Sequence, residues 1–521
     1  MTETNGVNSS KIDMLRVWIH PRVLTMLFLG FSAGVPILLI FSTLSVWLRE
    51  AGVSRSAVTF FSWAALGYSF KFIWAPLVDK LPLPFLTRKF GRRRSWMLLA
   101  QFSVMAAIVW MGLTDPTQGD SNLVMMALAA VFLGFSSATQ DIVIDAYRIE
   151  CVEESLQAML ASTYVAGYRI GMLVAGAGSL YIASWFGTSR ELYDGSAWSM
   201  TYFIMAAVML VGVATTCFID EPAEARSTPY QYSAKQYIRF FLLFVFAAAL
   251  FATCFFLTAS ISVWLKELLA GGSKGNVKLI GFAVETGRLL FALVMAAAGA
   301  YISVKAGLAD REMVRDSYVE PVRDFFVRYG GKTAVLLLLL VGFYRISDIV
   351  LGVVSNVFYL DMGFSKNEIA TVTKTFGLGM TLAGGFLGGL LTVRYGVYRM
   401  LFLGGVLAAA TNLLFMLLAR SGNDIVLLTV VIGVDNLCAG LASIAFVAFL
   451  SSLTNISFTA VQYALFSSLM TLFPKLIGGY SGTAVSAYGY ETFFLITAAM
   501  GIPVLFLVWF AGKLVDVKKQ I

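Results

Sequence analysis

Leu123–Glu150 reads LVMMALAAVFLGFSSATQDIVIDAYRIE. It begins as an apolar run of the length that crosses a hydrocarbon core of about 30 Å. It ends with Gln140, Asp141, Asp145, Tyr147 and Arg148 crowded into one segment. A long apolar run without period-2 alternation reads as a helix, and in lipid only helices or closed barrels satisfy the backbone. On that helix Asp141 and Asp145, four apart, share a face. Ionisable groups in such a place are costly and are by default a functional signal. At about 1.5 Å per residue, Asp141 lies about 27 Å from the start of the run, near one membrane surface.

The apolar pattern recurs along the chain. Of 521 residues, 59% are hydrophobic and 13% charged, whereas a soluble domain is about a quarter charged. Spans are predicted at roughly 23–48, 57–78, 95–114, 123–146, 157–186, 199–219, 237–266, 277–304, 333–361, 367–391, 397–419, 424–452, 459–486 and 490–513, about fourteen in all. The net charge of +8 does not indicate nucleic acid, because the basic residues gather in short loops between spans. Lys80, Arg88, Lys89 and Arg92–Arg94 follow span two, and the TDPTQGDSN loop has none. This is the positive-inside pattern, and an even number of spans puts both termini in the cytoplasm. Cys151, Cys217, Cys254 and Cys438 are scattered, so free thiols are expected and no metal or cofactor site.

The layout is six spans, an inserted pair, then six more. Residues 1–219 form an N-terminal six-helix bundle, 220–332 a linker with two additional transmembrane helices, and 333–521 a C-terminal six-helix bundle. The loop after span two, APLVDK then LPLPFLTRKFGRRR, has a counterpart in the second half, GGLLTVRYGVYR. Each combines a helix end, a turn containing glycine (Gly91, Gly396) and arginines. Glycine suits the turn, and arginines can bond helix-end carbonyls. Parallel halves around a central cavity are the architecture of rocking transporters.

The layout and the DK…GRRR loop resemble the major facilitator superfamily. More narrowly, the sequence resembles the AmpG-type muropeptide permeases, in Val46–Ser54 (VWLREAGVS), Phe70–Lys80 (FKFIWAPLVDK), Gly91–Gln101 (GRRRSWMLLAQ), Ser137–Glu150 (SATQDIVIDAYRIE), Gly167–Leu173 (GYRIGML), Lys374–Gly379 (KTFGLG) and Asp435–Gly440 (DNLCAG). The resemblance implies an all-α integral membrane protein with a major-facilitator-like 6+6 helix bundle, here with two extra spans between the halves. It also implies proton-driven import of anhydro-muropeptides across the bacterial inner membrane for cell-wall recycling and, in some bacteria, β-lactamase induction. The partners are then muropeptide, protons and membrane lipids.

Two carboxylates one turn apart cannot easily both stay ionised, so Asp141 and Asp145 suit proton binding and release. Alternatively Asp141, Asp145 and Arg148 pair with Lys71, Asp79 or Arg92, Arg93 and Arg94 as a latch on the inner gate. The two roles are compatible, since protonation would release the latch. Arg169, Arg345, Lys374 and Lys475 are intramembrane cations. An anionic cargo suits them, because arginine forks fit carboxylates bidentately. The competing reading is internal pairing, Arg345 with Asp348 or Lys374 with Asp435. Asp435 and Asn436 fit either the cargo path or a polar helix–helix contact, and Gln140 and Tyr168 offer neutral groups to sugar hydroxyls. Trp47 and Trp63 are placed for interfacial anchoring or for stacking on a sugar ring.

A membrane enzyme is disfavoured. His20 is the sole histidine and precedes the first span, and no HExxH or DxD motif is present. Within transporters, the alternative is a carrier for another anionic metabolite such as an acyl-CoA or a siderophore.

Overall fold

The computed structural model describes residues 21–519 apart from 41, 54–67, 69, 153–155, 190–191, 223–231, 271–276 and 479–480. Among the described residues all regular structure is helical, and 13 helices are long and apolar enough to cross a membrane. The second predicted span, 57–78, lies largely outside the described residues, as does Trp63. By internal packing the chain divides into one unit of residues 1–227 with 325–521 and another of 228–324.

In the larger unit the first half runs α1 (Pro21–Glu50), α2 (Ala75–Lys80), α3 (Arg92–Gly112), α4 (Asp120–Glu150), α5 (Gln157–Trp185) and α6 (Gly195–Phe218). The smaller unit holds α7 (Ala234–Leu257), α8 (Ala259–Ala270) and α9 (Val277–Lys305). The second half of the larger unit runs α10 (Gly331–Tyr359), α11 (Thr371–Tyr395), α12 (Val397–Ser421), α13 (Ile425–Leu453), α14 (Ile456–Lys475) and α15 (Ala484–Leu514).

Small residues bring the rods together. A Cβ on Gly30 or Gly34 of α1 would strike the Tyr164 or Tyr168 carbonyl of α5 at 2.1 and 2.0 Å. Reciprocally, one on Gly167 would strike the Leu27 carbonyl at 1.9 Å. The second half does the same between α11 and α13, where Gly384 meets the Leu437 carbonyl at 2.0 Å. In lipid there is no hydrophobic force between helices, so such backbone approach is what holds them. Gly91 and Gly396 sit at φ 86° and 84° at the starts of α3 and α12. A left-handed turn there is open to glycine and strained for other residues, which accounts for the paired glycines in the two loops.

Trp47 is fully buried in the core of the first half, stacked on Trp198 at 5.6 Å and donating to the Tyr193 hydroxyl at 3.1 Å. It therefore neither anchors at an interface nor meets a sugar. In the smaller unit, Glu285 pairs with Lys266 and with Arg288 at 3.1 Å. Arg288 also donates to the Phe255 carbonyl in the last turn of α7.

Candidate functional site

The charged end of α4 organises two networks. In the first, Asp145 pairs with Lys71 at 3.5 Å and with Arg148, one turn along its own helix, at 3.5 Å. Arg148 is completely buried. Its Nη1 donates to Ser451 Oγ of α13 at 3.0 Å, and its guanidinium lies 5.1 Å from the Tyr463 ring centroid of α14. Arg148 thus ties the first half of the chain to the second. Asp141 is differently placed. It is buried and accepts a long 3.5 Å bond from the Tyr164 hydroxyl. Among the described residues it forms no ion pair within 4.0 Å.

In the second network Arg93 is the hub. It pairs with Asp79 at 2.8 Å and with Glu150 at 2.5 Å, and its Nε donates to Glu150 at 2.9 Å. Glu221, just beyond α6, accepts from the backbone N–H groups of Arg93 and Arg94 at 2.7 and 3.1 Å, filling unpaired donors at the start of α3. Burial pushes the Glu221 carboxyl above its usual range, opposed by those two N–H bonds. Arg94 donates to the Thr216 and Cys217 carbonyls at the end of α6, the helix-end role expected of this arginine cluster. Arg92 Nε is buried without a hydrogen-bond partner among the described residues.

Both networks lie at the end of the larger unit where α4, α11 and α13 finish and α5 and α14 begin. The two halves close against each other at that same end. Ser162 Oγ donates to the Gly385 carbonyl at 2.9 Å. Ala158 and Ala161 pack with Ile444 and Ala448. Ile149 joins the apolar core of the second half.

A looser group lies deeper between the helices. Arg345 sits in the break between the two straight parts of α10 and pairs with Asp348 at only 3.7 Å, both side chains partly exposed (30% and 21%). Arg345 and Arg169 lie within electrostatic range of each other, two like charges from opposite halves. Tyr168 lies within range of both Asp141 and Arg169, between the two groups. Asp435 is within range of Asp348 and is bonded by Thr411. Lys475, in α14, is exposed. Lys374 falls in a widened helical turn, Ala370–Phe376, and its side chain is outside the described residues.

Gln140 and Asn436 stand apart from that group. Gln140 is fully buried within the first half and donates to Ser32 Oγ at 3.0 Å. Asn436 accepts from Thr381 of α11 at 2.8 Å and donates to its own helix at Ile432. Both make polar contacts between or within packed helices. Sequence reasoning passed over Glu150, Glu221, Ser451 and Tyr463. Glu150 closes the quoted α4 stretch and Glu221 directly follows span six, so charge at a span boundary was the available signal. Ser451 and Tyr463 are common residues in helices, and only the packing singles them out.

The overall arrangement matches solved transporters. The proton:xylose symporter XylE is 12% identical, with a TM-score of 0.56 and 95% of each chain covered. The Escherichia coli fucose:proton symporter FucP is 13% identical, with a TM-score of 0.57, covering 95% of this chain and 99% of that one. The fold is the one these symporters share, a multi-pass bundle of membrane-spanning helices. A family profile described as Acetyl-coenzyme A transporter 1 matches residues 22–193. A Rickettsia conorii protein assigned as transporter AmpG 4 is 30% identical over 496 residues, spanning 95% of this chain and 98% of that protein. The anhydromuropeptide permease of Escherichia coli K12 is 29% identical over 495 residues, 95% of this chain and 80% of that permease. The chain belongs to the AmpG family of transporters.

Proposed function

We propose that this protein imports anhydro-muropeptides from periplasm to cytoplasm in symport with protons, by alternating access, in the bacterial inner membrane with both termini cytoplasmic. The substrate reading is supported by the name of the Escherichia coli relative and by Arg169 and Arg345, two cations brought within electrostatic range from opposite halves, which suit an anionic cargo. With the termini inside, the closed end is cytoplasmic.

The observation that carries the mechanism is Arg148, wholly buried, held by Asp145 and reaching across to Ser451. Protonating Asp145 would leave that guanidinium without its carboxylate partner. Breaking a buried pair by removing one charge costs about 3–5 kcal/mol. Swinging a two-state equilibrium from one extreme to the other takes about 5.5 kcal/mol. One proton at this place therefore supplies most of what is needed to unseat the cytoplasmic contact. Asp141, with a tyrosine partner and, among the described residues, no cation within 4.0 Å, is the group that receives the proton from the cargo side, and Asp145 is the latch. The network of Asp79, Arg92 and Arg93 holds the end of α4 in register through Glu150.

Uptake of labelled anhydro-muropeptide into proteoliposomes under an inward proton gradient tests this. Saturable uptake that collapses with a protonophore is expected. Uptake indifferent to the gradient would remove the proton from the mechanism. A second reading, an acyl-CoA carrier, is favoured by the acetyl-coenzyme A transporter profile over residues 22–193. Saturable acetyl-CoA uptake with none of muropeptide would install it instead.

A further inference from the structure

The segment 81–91 joins α2 to α3 and is unusual at one residue. Phe85 has φ 62° and ψ −46°, and it is the sole non-glycine residue at positive φ among those described. The Leu86 N–H donates to the Pro84 carbonyl at 2.7 Å across it. That bond around a positive-φ centre makes the rare, strained form of γ-turn. A bulky side chain is a genuine outlier there, and such outliers persist only where their surroundings fix them. Here they do. The Leu83 N–H donates to Thr87 Oγ1 at 2.9 Å, the Thr87 N–H donates to the Leu83 carbonyl at 3.1 Å, and the Trp96 indole donates to the Leu81 carbonyl at 2.8 Å.

The strained turn leaves an aromatic ring standing outward. Phe85 is 87% exposed, while Thr87, two residues on, is buried. Leu86, Arg88 and Lys89 are exposed beside it. Three residues after Lys89 the membrane-spanning α3 begins, so the turn lies at the level where hydrocarbon gives way to headgroups. Aromatic rings favour that level, and lysine and arginine near it are drawn to anionic lipid. The pairing of an extruded ring with two cations fits an anionic surface better than it fits water or a neutral partner.

We propose that Phe85, with Leu86, Arg88 and Lys89, is a docking site for anionic phospholipid headgroups, pinning the glycine–arginine turn at fixed depth on its leaflet. The test uses the full chain in proteoliposomes of phosphatidylglycerol with phosphatidylethanolamine and, in parallel, of phosphatidylcholine. Phe85→Trp adds an indole whose emission should be quenched by phospholipid brominated near the top of its acyl chains, more strongly in phosphatidylglycerol. Phe85→Gly relieves the turn. It should raise the unfolding midpoint in detergent yet lose most of the upward shift that phosphatidylglycerol gives the native chain. Arg88→Gln with Lys89→Gln should lose the same shift without the gain in detergent. An indole untouched by brominated lipid and quenched by aqueous iodide overturns the proposal. So does a phosphatidylglycerol shift equal in the native chain and all variants. Protection from bromine that grows with protein density overturns it too, since a second copy would then cover the ring.

Discussion

The intramembrane charges of the two halves are held in different ways. In the first half Asp145, Lys71, Arg148, Asp79 and Arg93 are all buried, and their ion pairs run from 2.5 to 3.5 Å. In the second, Arg345 and Asp348 are partly exposed and 3.7 Å apart. A dry, paired charge costs much to disturb, whereas a half-wetted one exchanges partners cheaply. On the proposed function, the first set holds the two halves shut until a proton arrives and the second trades its partner for a ligand carboxylate, so that the first half supplies the lock and the second, with Arg169, the seat.

The largest effect that would break this contrast is at Arg148. Arg148→Ala removes the tie to Ser451 and leaves Asp145 with Lys71 as its remaining ion pair among the described residues, so the loss should fall below the roughly 3–5 kcal/mol of a fully halved buried pair. Labels at the ends of α4 and α13 should then separate, and gradient-driven uptake should vanish. An unchanged label distance would show that Arg148 is not a latch. Next is the seat. Arg169→Ala or Arg345→Ala should weaken peptide-bearing cargo by about 1.5–3 kcal/mol, the worth of a charged hydrogen bond. The bare disaccharide should weaken little, as measured by competition for uptake. Equal losses for both cargoes would place these cations outside the seat.

A smaller effect is expected at Glu221. Its carboxyl is raised in the fold by burial, so the stability it contributes is present at pH below its unfolded value and is lost as pH rises through the folded one. Glu221→Gln should remove that part of the decline above about pH 4.5, the unfolded range for glutamate. Thermal melts of both proteins across pH check this, and parallel curves would refute it. Smallest of all, deleting residues 237–304 should leave uptake largely intact. A folded but inactive deletion would bring that pair into the transport path.

Much of this architecture was legible because lipid is a severe solvent. Each apolar run had to be a helix, and Gly91 and Gly396 announced the same turn in both halves. Asp145 with Lys71 was among the foreseeable pairs, because charges at the ends of adjoining spans have few other places to go, whereas Asp79 with Arg93 was not. Which charge meets which was not legible. Arg148 reaches to the other half rather than to Asp79, a choice made by helix rotation that no spacing encodes. Gln140 was drawn toward the cargo by its neighbours in sequence, yet it points into the first bundle toward Ser32. A 100° rotation per residue separates it from Asp141. Trp47 misled in a similar way, since an aromatic at a span end looks the same whether it faces headgroups or stacks on Trp198.

The central claim is that a proton at the charged end of α4 opens the cytoplasmic contact. Asp145→Asn and Asp141→Asn, each assayed for gradient-driven uptake and for counterflow exchange at equal pH, test it most directly. Accumulation should be lost in both variants while exchange survives. Accumulation against a gradient at the native level in either one would contradict the account.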